Sequence, residues 1–199
     1  HTAEQAEEAI ALARQAGFRR ISGDLIYGYP GQTVESVRDS LERLLQTGVD
    51  HVSVYGLTVE EGTLLAKQIR EGQMALPSEE ETGTMYDLLM EELPKAGYQR
   101  YEISNFAKPG FESRHNLKYW HCEEYLGLGP AAHSFLSGKR FYETRDLRAF
   151  LAGQPPIEDV DAEIPAGSPE EYAMLALRLT EGLQDQKYSA RFGNSLPTH

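Results

Sequence analysis

The sequence predicts an α/β fold that continues into an α+β extension. Two short runs of branched and aromatic residues, at 21–27 and 51–57, flank an amphipathic helical segment. A strand, helix and strand joined by short turns are typical of a right-handed crossover in a parallel sheet or barrel. The pattern changes after Gly97, so we expect 1–97 and 98–199 to be built differently.

The first part begins with a helix and a strand. Thr2 has a side chain suited to a helix cap, and apolar residues at helical spacing follow it as far as Gly17. The strand at 21–27 then ends in the glycine- and proline-containing turn 28–31.

The second helix opens at Thr33 with Ser36 and carries an apolar face up to Gly48. The remaining elements predicted for this part are the strand 51–57 and the helices 64–70 and 78–93, the last with an acidic first turn that suits the helix dipole.

The extension is predicted to contain three strands and two helices. The strands are 98–103, 132–136 and 140–144, and the helices are 146–152 and 169–180, separated by the proline-rich acidic stretch 154–168. A tight Ser137-Gly138 turn joins the last two strands.

The composition excludes several functions. A net charge of -12 over 199 residues argues against binding nucleic acid or anionic membranes, because both need a basic surface. The sequence contains no apolar run of about eighteen residues, so no membrane-spanning helix is predicted. We therefore expect a cytoplasmic protein, with at most a peripheral membrane contact made through a partner protein.

The single cysteine, Cys122, cannot form an internal disulfide, and one thiolate cannot hold an iron-sulfur cluster or structural zinc. We expect it to be inert or a minor surface thiol. The chain begins at His1 with no methionine, so we expect a fragment of a longer polypeptide.

Asp24 is the first candidate for a binding residue. It lies among apolar residues of a predicted strand, where a carboxylate needs a cation or several hydrogen-bond donors. A ligand ammonium would satisfy it; capping a turn or pairing with an arginine would do so equally well. The segment 28–33 leads into a helix start that suits an anion, but lacks a nucleotide-binding fingerprint.

His115 is a candidate ligand of haem iron, because a neutral imidazole nitrogen binds iron. Tyr119 follows one helical turn later and is placed to stack on a tetrapyrrole or to hydrogen-bond to it. Alternatively, beside Asn116 and Trp120, His115 is a hydrogen-bonded packing residue. His133 lies in an apolar predicted strand, so it is either a ligand-contacting residue or a core residue. Gly127 and Gly129 precede it and permit a positive φ.

Four motifs resemble those of the oxygen-independent coproporphyrinogen III oxidase-like radical SAM family. They are Asp24-Leu-Ile-Tyr-Gly-Tyr-Pro-Gly-Gln-Thr33, Tyr101-Glu-Ile-Ser-Asn-Phe106, His115-Asn-Leu-Lys-Tyr-Trp120 and Tyr125-Leu-Gly-Leu-Gly-Pro-Ala-Ala-His-Ser-Phe135. The resemblance covers nearly the whole chain. The third and fourth motifs are more similar to the haem-chaperone branch of the family, called HemW, than to the oxidase itself.

The resemblance implies a fold and three cofactors. Residues 1–97 would be the last strands and helices of a radical SAM partial (β/α) TIM-like barrel, and 98–199 the α+β carboxyl-terminal extension. The family binds S-adenosylmethionine and a [4Fe-4S] cluster held by a Cys-X3-Cys-X2-Cys motif, which this chain lacks. The HemW branch also handles haem.

The resemblance also assigns roles to residues. Asp24 and Thr58 match positions that contact S-adenosylmethionine. His115, Asn116 and Tyr119 match the haem-handling motif, with His115 as an iron ligand. Gly127, Gly129 and His133 are assigned more loosely to a substrate or second-cofactor region.

Three functions follow as hypotheses. The first is a fragment of a HemW-like protein that delivers haem or a porphyrin to an acceptor protein, the chain alone being expected to be inactive. The second is a coproporphyrinogen III dehydrogenase, which decarboxylates two propionates oxidatively. The third is a cofactor-free interaction module. Oligomeric state does not follow from the sequence.

Overall fold

The computed structural model of the chain describes residues 2–160 and 163–196. It divides into two compact units, His1–Glu112 and Ser113–His199. Among the described residues no helix is both long and apolar enough to cross a membrane. Residues 161 and 162, within the predicted acidic stretch 154–168, lie outside the described part.

The first unit is a four-stranded sheet with helices packed on one face. Its elements are α1 (Ala3–Gln15), β1 (Ser22–Tyr27), α2 (Val34–Gln46), β2 (His51–Gly56), α3 (Leu64–Arg70), α4 (Glu79–Lys95), β3 (Gln99–Arg100) and β4 (Asn105–Ala107). The strand order is β1-β2-β4-β3. β1 and β2 are parallel, as the crossover pattern predicts, whereas β4 is antiparallel to both neighbours.

The core of this unit lies between the sheet and the helices α2 and α4. Leu25, Val52 and Phe106 project from three neighbouring strands toward Leu41 and Leu89, and all are buried. Their alternation with polar residues follows the period of two in a strand, which leaves the opposite sheet face for other side chains. The apolar residues that predict α2 and α4 are the ones that pack here.

The helix starts in this unit were predictable from single side chains. The side chain of Thr33 accepts a hydrogen bond from the backbone of Ser36, and the side chain of Ser36 accepts one from the backbone of Thr33. Thr2 and Ser78 start α1 and α4 in the same reciprocal way. Each pair satisfies backbone donors that the first turn leaves without partners.

The predicted strand 98–103 is wrong in its extent. The chain makes β3, reverses, and returns as β4. In the reversal Tyr101 N donates to Asn105 O at 3.2 Å, and Ser104 N donates to Glu102 Oε1 at 2.8 Å. A local carboxylate acceptor for a backbone amide favours this turn over a continuing strand.

The division between the compact units differs from the predicted boundary after residue 97. It falls between Glu112 and Ser113, because β4 pairs with β2 and so belongs to the first sheet. The end of the barrel part at residue 97 is a matter of family architecture and stays a prediction.

The second unit combines a three-stranded antiparallel sheet with short helices. Its elements are α5 (Arg114–Trp120), β5 (His133–Leu136), β6 (Lys139–Tyr142), α6 (Leu147–Leu151), β7 (Ile157–Glu158), α7 (Pro169–Ala176) and α8 (Asp185–Phe192). β5 and β6 form the hairpin predicted around Ser137-Gly138. β7 and α8 were not predicted from the sequence.

The core of the second unit is small and aromatic. Phe135 and Tyr172 are buried with Cys122 and Ala176. An ion pair between the half-buried Arg140 and the buried Glu171 adjoins them, with Arg140 Nη2 2.7 Å from Glu171 Oε1. Glu171 Oε2 also accepts from the amide of Gly167 at 2.6 Å, so both carboxylate oxygens have donors, as burial of a charge requires.

Candidate functional site

The face of the first sheet opposite the helices carries a row of polar side chains, which we call the polar sheet face: Ser22, Asp24, His51, Ser53 and Asn105. Parallel pairing aligns Ser22 with His51 and Asp24 with Ser53, and antiparallel pairing aligns Ser53 with Asn105. Aligned residues of paired strands project from the same face. Strand register therefore gathers groups far apart in sequence.

Asp24 is exposed on this face, in the middle of β1. Among the described residues its carboxylate takes part in no hydrogen bond and no ion pair. The two alternative roles considered for Asp24, capping a turn and pairing with an arginine, therefore receive no support from the contacts. A carboxylate in this setting fits the ammonium group of a ligand such as S-adenosylmethionine.

Thr58 lies just beyond the end of β2 and is exposed. Within the described part of the chain its hydroxyl makes no hydrogen bond. Asp24 is aligned with Ser53, five residues before Thr58, so the two residues lie at different heights along the strands. An extended ligand is needed to contact both.

His51 is a site residue that the sequence analysis did not single out. Its ring is buried, with 6% of the residue exposed. Nδ1 lies 2.8 Å from Ser22 Oγ, and Nε2 lies 2.8 Å from Tyr101 Oη. The available signal was a histidine at the start of a predicted strand, but its partners depend on the fold.

The pKa of His51 is lowered by burial, which disfavours the charged imidazolium. The negative charges of Asp24, Glu102 and Glu112 oppose this effect and raise the pKa of His51. The net direction is downward, so the buried ring is kept neutral.

Asn105 lies at the β4 end of the polar sheet face and is hydrogen-bonded to Glu102. Glu102 is fully buried, and its Oε1 accepts from Asn105 Nδ2. Asn105 Oδ1 is buried and, among the described residues, accepts no hydrogen bond. An unsatisfied buried acceptor is costly, which favours a binding role for this face over simple packing.

The second candidate site lies on α5. His115 is exposed in the first turn, and Tyr119 Oη lies 3.1 Å from His115 Nε2. The two rings meet edge to face at 4.9 Å, and Tyr119 packs against Tyr125 at 4.5 Å in the same manner. Asn116 is half-buried, and its backbone amide donates to the Ser113 side chain that caps the helix.

This arrangement fits a haem ligand in one specific respect. Tyr119 orients the His115 ring through one nitrogen and leaves the other nitrogen available. Hydrogen bonds of this kind fix the tautomer and orientation of metal-binding histidines. Because His115 is exposed, burial in a core does not account for it.

The loop before β5 needs its two glycines for different reasons. Gly129 has φ +106°, as the sequence analysis expected of a glycine in a turn. Gly127 does not have a positive φ; a Cβ there would lie 2.2 Å from the carbonyl oxygen of His133. The expectation of positive φ is therefore wrong for Gly127, where close backbone approach is the constraint.

His133 is exposed, and its ring stacks on Tyr142 with the centroids 5.2 Å apart. The competing interpretation of His133 as a core residue is therefore wrong. The strand it begins buries its middle residues, Ser134 and Phe135, and leaves His133 on the surface.

The residues present do not fit an iron-sulfur cluster. Cys122 is buried, and its Sγ contacts Glu171 Oε2 at 3.6 Å. Burial, and then the charge of Glu171, raise the pKa of the thiol, so it stays protonated and inert, and the idea of a surface thiol is wrong. In the described part of the chain no group of three or more His, Cys, Asp or Glu residues is placed to hold a metal ion.

Comparison with known proteins identifies relatives over nearly the whole chain. It is 37% identical over 194 residues to the heme chaperone HemW of Lactococcus lactis, covering 96% of this chain and 51% of the relative. It is 36% identical over 188 residues to HemW of Bacillus subtilis, covering 92% and 50%. The chain therefore spans about half the length of these curated relatives. No family model matches it.

The fold matches a solved structure, described as coproporphyrinogen III oxidase (HemN) from Escherichia coli, a radical SAM enzyme. The TM-score is 0.73 at 20% identity, over 98% of this chain and 48% of the other. The predicted α/β architecture, part of a radical SAM barrel with an α+β extension, is confirmed by this match.

The fold is thus that of the radical SAM proteins. With HemW relatives at 36–37% identity, the chain belongs to the oxygen-independent coproporphyrinogen III oxidase-like radical SAM family, in its HemW branch.

Proposed function

We propose that this chain is the part of a HemW-like protein that contributes the amine contact for S-adenosylmethionine and a haem-binding histidine. The observation that carries the haem proposal is the exposed His115 ring, oriented by Tyr119 at 3.1 Å. An exposed imidazole with one nitrogen held and one available has the geometry of an axial ligand. Delivery of haem to an acceptor protein is the activity that the HemW name indicates.

The polar sheet face supports the second half of the proposal. Asp24 is an exposed carboxylate without a protein partner among the described residues, and it lies in the same row as the buried acceptor of Asn105, with Ser53 between them. The positive amino group of S-adenosylmethionine would satisfy Asp24, and Thr58 would contact another part of the same molecule. The [4Fe-4S] cluster needs thiolates that this chain does not supply, so we assign no cluster ligand to it.

Gly127, Gly129 and His133 remain proposed contributors to a porphyrin-binding surface. The rings of His133 and Tyr142 are stacked. The two glycines permit the backbone conformation and the close approach found in the preceding loop. Planar aromatic ligands bind well against such ring surfaces. These three residues are secondary to His115 in the proposal.

A haem titration followed by the Soret absorption band tests the haem proposal. The wild-type chain is compared with His115→Ala and with His121→Ala, a control that removes another histidine of the same unit, one with no proposed role in the site. We expect saturable binding that is lost in His115→Ala and retained in His121→Ala. Equal signals from all three proteins, or no signal, would contradict the assignment of His115 and return it to a packing role.

A second candidate, oxidative decarboxylation of coproporphyrinogen III, follows from the resemblance to the oxidase branch of the family; the match to the solved oxidase supports the shared fold alone. Incubating the intact protein with coproporphyrinogen III separates the two functions, since only the dehydrogenase forms decarboxylated product. If the intact protein binds neither haem nor S-adenosylmethionine, the third hypothesis, a cofactor-free interaction module, replaces both.

A further inference from the structure

The hydrogen-bonded row Ser22, His51 and Tyr101 lies next to Asp24 on the polar sheet face. Each ring nitrogen of His51 is 2.8 Å from one hydroxyl, and the ring is almost fully buried. The rings of His51 and Tyr101 also lie 5.7 Å apart, centroid to centroid. The imidazole is therefore held in one position by hydrogen bonds to the hydroxyls of Ser22 and Tyr101.

A neutral His51 is compatible with this row in either tautomer. A hydroxyl both donates and accepts, so each ring nitrogen finds the partner that it needs whichever one carries the proton. Protonation would make both nitrogens donors and would bury a positive charge. The groups that would feel this charge are the carboxylates of Asp24 on β1, Glu102 in the β3–β4 turn and Glu112 after β4.

The register places this charge close to the ligand contact. Ser22, the partner of His51, lies two residues before Asp24 on the same strand face. Strand geometry puts an imidazolium at His51 on the order of 8 Å from the Asp24 carboxylate. At that distance a cation on a partly buried surface offsets part of the attraction between a carboxylate and a ligand ammonium.

We propose that neutral His51 is a positioning residue for the ammonium-binding site at Asp24, and that its protonation weakens the binding of S-adenosylmethionine there. This inference rests on the proposed function, in which Asp24 receives the amino group of that ligand. His51 acts through Ser22, Tyr101 and the charge balance of the face, and does not itself touch the ligand.

The test is calorimetric titration of S-adenosylmethionine into the intact protein, from about pH 8 down to the lowest pH at which the protein stays folded, because burial places the pKa of His51 below the ordinary histidine value of about 6.5. For the wild-type protein we expect the affinity to fall about threefold to tenfold as the pH decreases, on the Coulomb scale of a partly screened charge. The ligand's own amino group gains protons over the same range, which by itself would strengthen binding to Asp24.

Three controls test whether the pH dependence of the affinity comes from His51 and from the ligand's amino group. His51→Gln keeps a polar side chain but cannot acquire the charge, so its affinity is expected to stay level or to rise slightly as the pH decreases, because only the ligand's amino group then titrates. His121→Gln removes a half-buried histidine of the other unit and is expected to keep the wild-type pH dependence. Methylthioadenosine, which lacks the amino group, is expected to bind with little pH dependence.

Asp24→Asn separates failure of the inference from failure of the proposed function. If Asp24→Asn binds S-adenosylmethionine as tightly as the wild type, the proposed ammonium contact itself is wrong. If Asp24→Asn binds weakly while His51→Gln retains the wild-type pH dependence, the contact stands and the role of His51 is overturned.

A second measurement holds even if His51→Gln fails to fold. By linkage, a ligand that prefers neutral His51 must lower the pKa of His51 when it binds. NMR titration of labelled histidine in the wild-type protein, with and without S-adenosylmethionine, measures that shift directly. An unchanged or raised His51 pKa in the complex would overturn the inference.

Discussion

The two units position their candidate site residues by different physical means. In the first unit, strand register fixes Asp24, Ser53 and Asn105 on one face, and the backbone ladder holds them above an aliphatic core. In the second, His115 is oriented by side-chain contacts alone, through Tyr119 and Tyr125 on a helix of seven residues.

The cores beneath these sites differ in the same way. The core of the first unit is mainly aliphatic, whereas that of the second is small and adjoins the buried Arg140–Glu171 pair. Truncating an aliphatic core side chain removes apolar contacts and leaves a cavity, whereas removing one partner of a buried ion pair leaves an uncompensated charge. The second unit should therefore be the more sensitive to single polar substitutions.

Glu171→Ala is expected to give the largest effect. It removes the acceptor of Arg140 and of the Gly167 amide and leaves a cation in a largely buried position. Loss of one partner of a buried pair costs about 3–5 kcal/mol in the free energy of unfolding. Urea denaturation followed by the fluorescence of Trp120, which lies in this unit and is the one tryptophan of the chain, measures the loss.

The control for Glu171→Ala is the double variant Arg140→Met, Glu171→Leu. Replacing both charges by apolar groups of similar size removes the unpaired charge, so we expect most of the stability to return. If the double variant is as unstable as Glu171→Ala, the cost arises from lost packing and the contrast between the two cores is weaker than argued.

Gly127→Ala is expected to be the next largest. The added Cβ would lie 2.2 Å from the backbone oxygen of His133, so the backbone must move and disturb the pairing of Tyr125 with Phe135. Overpacking of this kind costs about 1–3 kcal/mol. Thermal unfolding measures the change in stability.

Gly129→Ala is the matched control for Gly127→Ala. This glycine has φ +106° but no atom within 4 Å of an added Cβ, so the substitution introduces backbone strain without a collision. A larger loss for Gly129→Ala than for Gly127→Ala would show that strain, and not close approach, dominates in this loop.

Removing one helix cap in each unit compares the stability that the two units lose from the same kind of substitution. Thr33→Ala removes the acceptor for the Ser36 amide at the start of α2, and Ser168→Ala removes the acceptor for the Glu171 amide at the start of α7. Each is expected to cost about 1 kcal/mol. Ser168→Ala should cost more, because α7 carries Glu171 of the buried pair. Urea denaturation of both variants checks the order, and equal losses would contradict it.

The sequence predicted those features that depend on neighbours along the chain. Caps such as Thr33, and the apolar spacing behind them, identify α2, and the branched residues of β1 and β2 identify the crossover. The motif around His115 pointed to α5 because its members lie within one helical turn. Asp24 was found because a carboxylate among apolar residues is conspicuous in a strand.

Features that depend on distant partners could not be predicted in this way. The hydrogen bond of His51 joins it to Tyr101, fifty residues later, and exists only because β4 turns back onto β2. α8 was not predicted because its sequence is mostly polar. Its aromatic residues, Tyr188 and Phe192, pack against Tyr172, a contact that depends on the fold. The requirement for glycine at 127 comes from a carbonyl six residues away.

Gly83→Ala should give the smallest effect and the opposite sign. Gly83 lies within α4, is exposed, and would bring its Cβ near no other atom within 4 Å. Alanine is better than glycine in a helix interior by up to about 1 kcal/mol, so the variant should be more stable. Urea denaturation followed by far-ultraviolet circular dichroism detects the gain. A loss of stability on this open helix face would mean that α4 has a neighbour there, and that the first unit is less self-sufficient than its aliphatic core implies.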